Sequence, residues 1–304
     1  MPFKITAKSA KKAKTEAKAD ETIKKRSQFV EISKRFVKRR ISLIGLCIVV
    51  LFIFIAIFAN FIAPYEFAAQ DLANRLQFPS AEHWLGTDNF GRDILTRMLY
   101  GGRTSLLVSL LGCAISVVIG SVIGSVSGYY SGKVDTLLMR LMDVFNAIPM
   151  TLLAVVISAA LGTGTWQTAI AVSVGGIAPC ARMLRASVLS IRGQEFVEAA
   201  TAYGCKDRRI IFHHVIPNCL APVIVDTTLR LGGNIMAISG LSFIGLGVQP
   251  PAAEWGAMLN AGRPYIRDFY PLITFPGLAI LLAMLGFNLF GDGLRDALDP
   301  KQKQ

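Results

Sequence analysis

The chain is 304 residues long, 53% hydrophobic, and carries a formal net charge of +12. A soluble protein of this length would bury its apolar residues in cores with polar surfaces between them, whereas here apolar runs recur along almost the whole sequence. A nucleic-acid-binding role is excluded as well, because the excess Lys and Arg sit in an N-terminal tail and a few short connections, without the interleaved aromatics that base stacking needs.

The pattern is that of an all-α polytopic membrane protein with six transmembrane helices. Residues 1–33, rich in Lys and Ala, read as a disordered basic tail suited to a cytoplasmic surface of anionic membrane lipid. Lys34, Arg35, Lys38, Arg39 and Arg40 abut a first span over 41–63. At ~1.5 Å per residue that run reaches about 35 Å, enough for a hydrocarbon core of about 30 Å. No small-residue cleavage site follows it, so it is expected to remain as an anchor. Further spans are expected at 105–129, 136–161, 166–183, 220–248 and 271–291. The fourth is short and interrupted by Pro179, and Pro149 and Pro276 are expected to kink the third and sixth. The chain thus divides into the tail 1–33, a first span with an extracytoplasmic segment over 34–103, and a five-span core over 104–304 that contains a cytoplasmic loop, 185–218.

Orientation follows from Lys and Arg beside the spans. The N-terminal flank is strongly basic, the loop carries Arg185, Arg192, Lys206, Arg208 and Arg209, and the C-terminus carries Arg295, Lys301 and Lys303. The segment LGTGTWQ after the third span has none. Both termini and the loop are therefore expected in the cytoplasm. Within the second span Gly112, Ser116, Gly120, Gly124 and Gly128 recur every fourth residue, a stripe against which another helix packs closely. Intramembrane polar groups are functional candidates by default. Asp226 with Arg230, and Arg140 with Asp143, read as structural ion pairs, while Asn234, Ser239, Ser242 and Asn288 are candidates for a polar pathway. Cys47 and Cys113 read as small apolar residues between helices, with no disulfide framework. No GxxxxGK[ST], HExxH or GxSxG occurs, and the adjacent His213 and His214 make a poor metal pair. No catalytic residue and no metal site are expected.

The loop is the most informative segment. Residues 194–203 hold good helix formers, with Phe196, Ala200 and Tyr203 on one face. Gly204 can stop that helix in a left-handed conformation, and Pro217 marks the start of the fifth span. The order Glu198-Ala199-Ala200, three residues, Gly204, then Pro217-Asn218 resembles the cytoplasmic loop of the membrane subunits of ABC importers. The ending His214-Val215-Ile216-Pro217 is similar to the peptide/nickel branch. Leu85, Gly86, Thr87, Asp88, Gly91, Arg92, Asp93, Arg97, Gly101, Arg103 and Ser105 resemble the segment before the second span in the shorter, C-type subunit of that branch, and GDGLRDALDPK at 291–301 agrees.

The resemblance implies a type I ABC importer permease fold and inward passage of di- or oligopeptides across a bacterial inner membrane. A nickel chelate or glutathione-like solute is the alternative cargo, and an ion-coupled secondary transporter the remoter one. It implies ATPase coupling through Glu198, Ala199, Ala200, Tyr203, Gly204, Pro217 and Asn218. It also implies a sister permease, two ATP-binding subunits and an extracytoplasmic solute-binding protein as partners, with ATP and Mg on those partners and no cofactor on this chain. Arg92, Arg97 and Arg103 are expected at the outer headgroup level.

Overall fold

The computed structural model of the chain describes residue 33 and residues 35–298. The basic tail and the terminal Asp299, Lys301 and Lys303 lie outside the described residues. The described residues contain helices and no strand, with one isolated bridge between Thr87 and Asp93.

Helix α1 (Arg40–Ile62) is apolar on nearly every face and ends where Ala63 turns extended ahead of Pro64. Helix α2 (Ile94–Tyr130) is 37 residues long. It begins under a side-chain cap, the Asp93 carboxylate accepting from the Thr96 N–H at 2.7 Å. The short apolar stretch at 94–99 and the second span are therefore one helix, and positions 103 and 104 lie inside it.

The expected third span is broken. Helix α3 (Gly132–Ala147) and helix α4 (Met150–Leu161) meet at 88°. Pro149 has no N–H to continue the ladder, and it drives Ile148 to an extended φ of −90° and ψ of 127°. Pro179 and Pro276, by contrast, lie inside continuous helices: α5 (Thr165–Ile191) runs 27 residues through Pro179, longer than the sequence indicates. After α5 come α6 (Glu195–Ala202), α7 (Asp207–Arg209), a π-helical turn over Ile210–Val215 and α8 (Ile216–Asn218). Helix α9 (Leu220–Phe243) leaves this run at 62° and stops five residues before the end of the predicted fifth span. Helices α10 (Trp255–Gly262) and α11 (Pro271–Leu298) complete the described chain. Among the described residues four helices, α1, α2, α5 and α11, are long and apolar enough to cross a membrane, or up to six spans if each bent pair counts as one.

Helices α2 and α5 form the central pair. The small-residue stripe of α2 faces α5 along its length: Gly112 approaches the Ala169 carbonyl, the Ser116 hydroxyl donates to the Ser173 carbonyl at 2.6 Å, and Gly120, Gly124 and Gly128 oppose Cys180, Ala181 and Val188. Helix α9 packs on α2 and α11, and α1 packs on α11. Apolar side chains of α1 such as Leu51, Phe54, Ile57 and Phe61 remain exposed on its outer side, as lipid-facing residues would. Cys47 is among the exposed residues of α1, not between helices, whereas Cys113 is buried.

The helix ends opposite the 192–219 loop carry a cap. Within residues 64–93 the Asp88 carboxylate accepts from the Phe90 N–H, the Arg92 N–H and the Arg92 Nε at 2.8, 3.0 and 2.7 Å. Arg97 Nε lies 3.6 Å from the same carboxylate. Arg92 and Arg97 are thus buried ion-pair partners and not headgroup contacts; only Arg103 is exposed, where it reaches Asn60. A lone Arg cannot be distinguished in sequence from one whose carboxylate partner sits a few residues away in a folded turn.

Candidate functional site

Helix α6, eight residues long, lies within the 194–203 stretch expected to be helical, and its end is fully specified. Gly204 takes φ +75°, its N–H donates to the Thr201 carbonyl at 2.9 Å, and the Cys205 N–H donates to the Ala200 carbonyl at 3.1 Å. This pair of bonds is a Schellman closure, which favours glycine at the left-handed position.

The helix is rooted through one face. Val197 and Ala200 are 4% and 9% exposed and sit in an apolar cluster with Leu184 and Val188 of α5, Ile210 and Val215 of the π turn, and Cys219 and Val223 at the start of α9. Val197 and Ala200 are three residues apart and so share a face. Of the residues expected on one face, only Ala200 is buried: Phe196 is exposed and Tyr203 is 89% exposed. Ala200 therefore packs on the chain's own helices, and Glu198, Ala199, Tyr203 and Gly204 make up the outer surface. The sequence contains the signal for this, since Val197 is the more apolar residue one turn before Ala200.

Polar contacts fix the base of the loop. Asp135 of α3 accepts from Arg185 Nε and Nη2 of α5 at 2.5 and 2.6 Å, and from the Ser127 hydroxyl. Arg192 donates to the Ser131 hydroxyl and to the Gly128 carbonyl, and the Tyr129 hydroxyl donates to Asp207 at 3.1 Å. Asp143 is closer to Arg182, at 2.9 Å, than to its helix neighbour Arg140, at 3.9 Å. These partners lie far apart in sequence, which hides them from spacing arguments. Pro217 and Asn218 are exposed within α8. Pro217 precedes the bend at Cys219 instead of opening the fifth span: it has no N–H to donate into the preceding π-helical turn. The Asn218 amide donates to the His214 carbonyl at 2.6 Å.

The pathway candidates separate. Ser239 and Ser242 are buried inside the subunit, Ser239 donating to Glu254 at 3.4 Å and Ser242 accepting from the Val248 N–H at 3.1 Å. They hold local structure and do not face open space. Asn234 donates to the Cys113 sulfur at 3.3 Å and lines a cavity of about 560 Å³ between α4 and α9, together with Met150, Val155, Arg230 and Ile244. Asn288 is half-buried on α11 beside Gly232.

A site that spacing arguments passed over lies at the opposite end. Glu254 is fully buried at the start of α10. Its Oε2 accepts from the Ala257 N–H at 2.9 Å and its Oε1 accepts from the hydroxyls of Ser105 and Ser239 at 3.0 and 3.4 Å, joining α10 to α2 and α9. Trp255 Nε1 donates to the Met98 carbonyl at 3.0 Å, and its ring meets Phe52 edge-on at 5.5 Å. An acid directly before a Trp in an apolar stretch was the available clue.

Residues 120–304 match the family model described as binding-protein-dependent transport system inner membrane component, and residues 27–79 match the N-terminal TM domain of oligopeptide transport permease C. The chain is 45% identical over 277 residues to the dipeptide transport system permease protein DppC of Alkalihalophilus pseudofirmus, covering 91% of each. It is 44% identical to the glutathione transport system permease protein GsiD of Shigella flexneri, over 91% of this chain and 92% of that protein. Among solved structures, the inward-facing MetNI methionine ABC transporter shares the fold, with a TM-score of 0.54 over 68% of this chain and 98% of the transporter chain at 19% identity. An all-helical chain with a closed, outward-facing loop helix, matched over most of its length in this way, belongs to the family of inner membrane components of binding-protein-dependent transport systems.

Proposed function

We propose that the chain is a permease subunit of an ATP-driven importer that passes di- and oligopeptides inward across the bacterial inner membrane. A glutathione-like peptide is the second reading, favoured by the likeness to the glutathione permease. In this reading the subunit pairs with a sister permease, receives solute from an extracytoplasmic binding protein, and is driven by two separate ATP-binding subunits that hold ATP and Mg. Both termini and the 192–219 loop are cytoplasmic.

The observation that carries it is the placement of α6. Its inner face is rooted in the ends of α5 and α9, while Glu198, Ala199 and Tyr203 point away from the chain. Flipping a two-state pathway from mostly closed to mostly open takes about 5.5 kcal/mol of differential binding. A rigid helix joined directly to two long helices transmits such a bias without dissipating it in loop motion. Ala199 allows close approach in a partner's groove, and Glu198 offers a carboxylate to a basic group there.

The test is Glu198→Arg, read by co-purification of the ATPase subunits and by uptake. Glu198 contributes nothing to the buried face, so the subunit should accumulate while the ATPase is lost and uptake fails. Normal assembly with normal uptake would refute the coupling role. Orientation is tested separately. A cysteine introduced at the exposed Tyr203 should react with a membrane-impermeant maleimide only in inverted vesicles; reaction in intact cells would place the helix on the wrong side.

A further inference from the structure

We propose that the ion pair Asp226–Arg230 on α9 is a contact site for the two charged ends of a zwitterionic solute, with Arg230 taking a carboxylate and Asp226 an ammonium group. The inference rests on the peptide-import reading and makes it specific at two residues.

Arg230 Nε donates to Asp226 Oδ2 at 2.5 Å, one helical turn apart. Another ion pair of this chain, Asp88 with Arg92, is closed in at 4% and 7% side-chain exposure. Asp226 and Arg230 instead keep 30% and 27% of their side chains open. They open onto two different cavities. Arg230 is the only charged residue among the described residues lining the 560 Å³ cavity, whose other walls include Met150, Val155, Ala237 and Ile244. Asp226 lines a second cavity of about 460 Å³ on the loop side, together with Met183, Leu229 and Arg295.

Along α9 toward the loop end Arg230 comes first and Asp226 second, with Arg295 of α11 on the wall of the second cavity. The two positions on α9 sit about 6 Å apart along the helix axis. The ends of an extended dipeptide are separated by about 7 Å, a comparable span. When the pathway is empty the two side chains neutralise each other, so no unpaired charge is left in the apolar wall. When a peptide with free termini arrives, one ion pair is exchanged for two. Covering the pair with an apolar surface would strip water from both ions without adding partners, so the open sides call for water or a charged solute.

The test uses the complete importer, with sister permease, ATPase subunits and solute-binding protein, reconstituted in vesicles. The probe is radiolabelled dialanine with free termini. The wild-type complex is read first: if it moves no dialanine at the expense of ATP, the peptide-import reading fails and this proposal falls with it. The decisive variant is the double exchange Asp226→Arg with Arg230→Asp. A purely structural pair tolerates exchange, whereas a site that reads the polarity of a solute does not. The expected result is wild-type assembly and wild-type receptor-stimulated ATP hydrolysis, with dialanine uptake reduced about tenfold or more, the loss expected for a charged hydrogen bond. Uptake restored to the wild-type rate would overturn the proposal. If the exchanged variant does not assemble, the uncharged pair Asp226→Asn with Arg230→Gln decides. ATP hydrolysis without uptake supports the site, retained uptake overturns it, and failure of both variants to assemble assigns the pair to structure alone.

Discussion

Gly124→Val is expected to prevent the subunit from accumulating in folded form. A side chain at Gly124 would place its first carbon 2.3 Å from the Ala181 carbonyl oxygen, a backbone atom of α5 that cannot rotate away. The two helices would have to separate along a contact that runs from Gly112 to Gly128. Overpacking of a well-filled site costs about 1–3 kcal/mol, and valine at a backbone-to-backbone contact belongs at the upper end or above. In lipid the cost is harder to recover than in water. Helix association there rests on close packing and not on the hydrophobic effect, so a lost contact has no solvent-driven substitute. The measurement is the yield of monodisperse protein in detergent and its thermal midpoint. Gly277→Ala is the control: nothing lies within 4 Å of that position, and alanine favours helix by about 1 kcal/mol over glycine, so its midpoint should hold or rise. Equal yields of Gly124→Val and wild type would mean that α2 and α5 do not pack as described.

Glu254→Ala is expected to loosen the end of the bundle opposite the loop. The carboxylate caps α10 and accepts from two hydroxyls on different helices. Its removal takes away the cap on the Ala257 N–H, about 1 kcal/mol, and leaves two buried hydroxyls without their acceptor, at about 1–3 kcal/mol each. A fall of about 3 kcal/mol or more in stability follows. Glu254→Gln should lose far less, because its amide oxygen still accepts from the Ala257 N–H and both serine hydroxyls can turn to accept from its NH₂. The adjacent Trp255 reports the event: it is 1% exposed and bonded to Met98, so its emission should shift to the red in Glu254→Ala and stay unchanged in Glu254→Gln. Red-shifted emission in both variants would mean that the negative charge, and not the hydrogen bonds, holds this end together.

Much of the architecture was legible beforehand. The apolar run of α1 and the small-residue stripe of α2 are local patterns with a direct physical consequence in lipid, and each appears where the sequence places it. Glu198 through Gly204 were legible because a helix with a left-handed glycine stop is a local motif, and its closing bonds involve only residues 200–205. Pro149 illustrates the limit of that kind of reasoning. A kink there was expected, but whether a proline bends a helix, as at Pro149, or passes within one, as at Pro179, depends on neighbouring helices. Ser239 and Ser242 show the same limit. Their polarity marked them as notable, and only the position of Glu254 and of the 243–248 turn reveals that they serve the fold.

The sequence by itself determined that the chain is a helical membrane protein, where most long helices lie, and that a short helix within 194–203, closed by Gly204, stands between α5 and α9. Those features follow from hydropathy and backbone preference, which act within a few residues. The tertiary structure alone decided which face of that helix is rooted, through Val197 and Ala200, and which is left for a partner. It also decided that Asp135 belongs with Arg185 and that Glu254 joins three helices. Such pairings are set by the close packing of helices distant in the chain, and no periodicity within a single helix encodes what lies across from it.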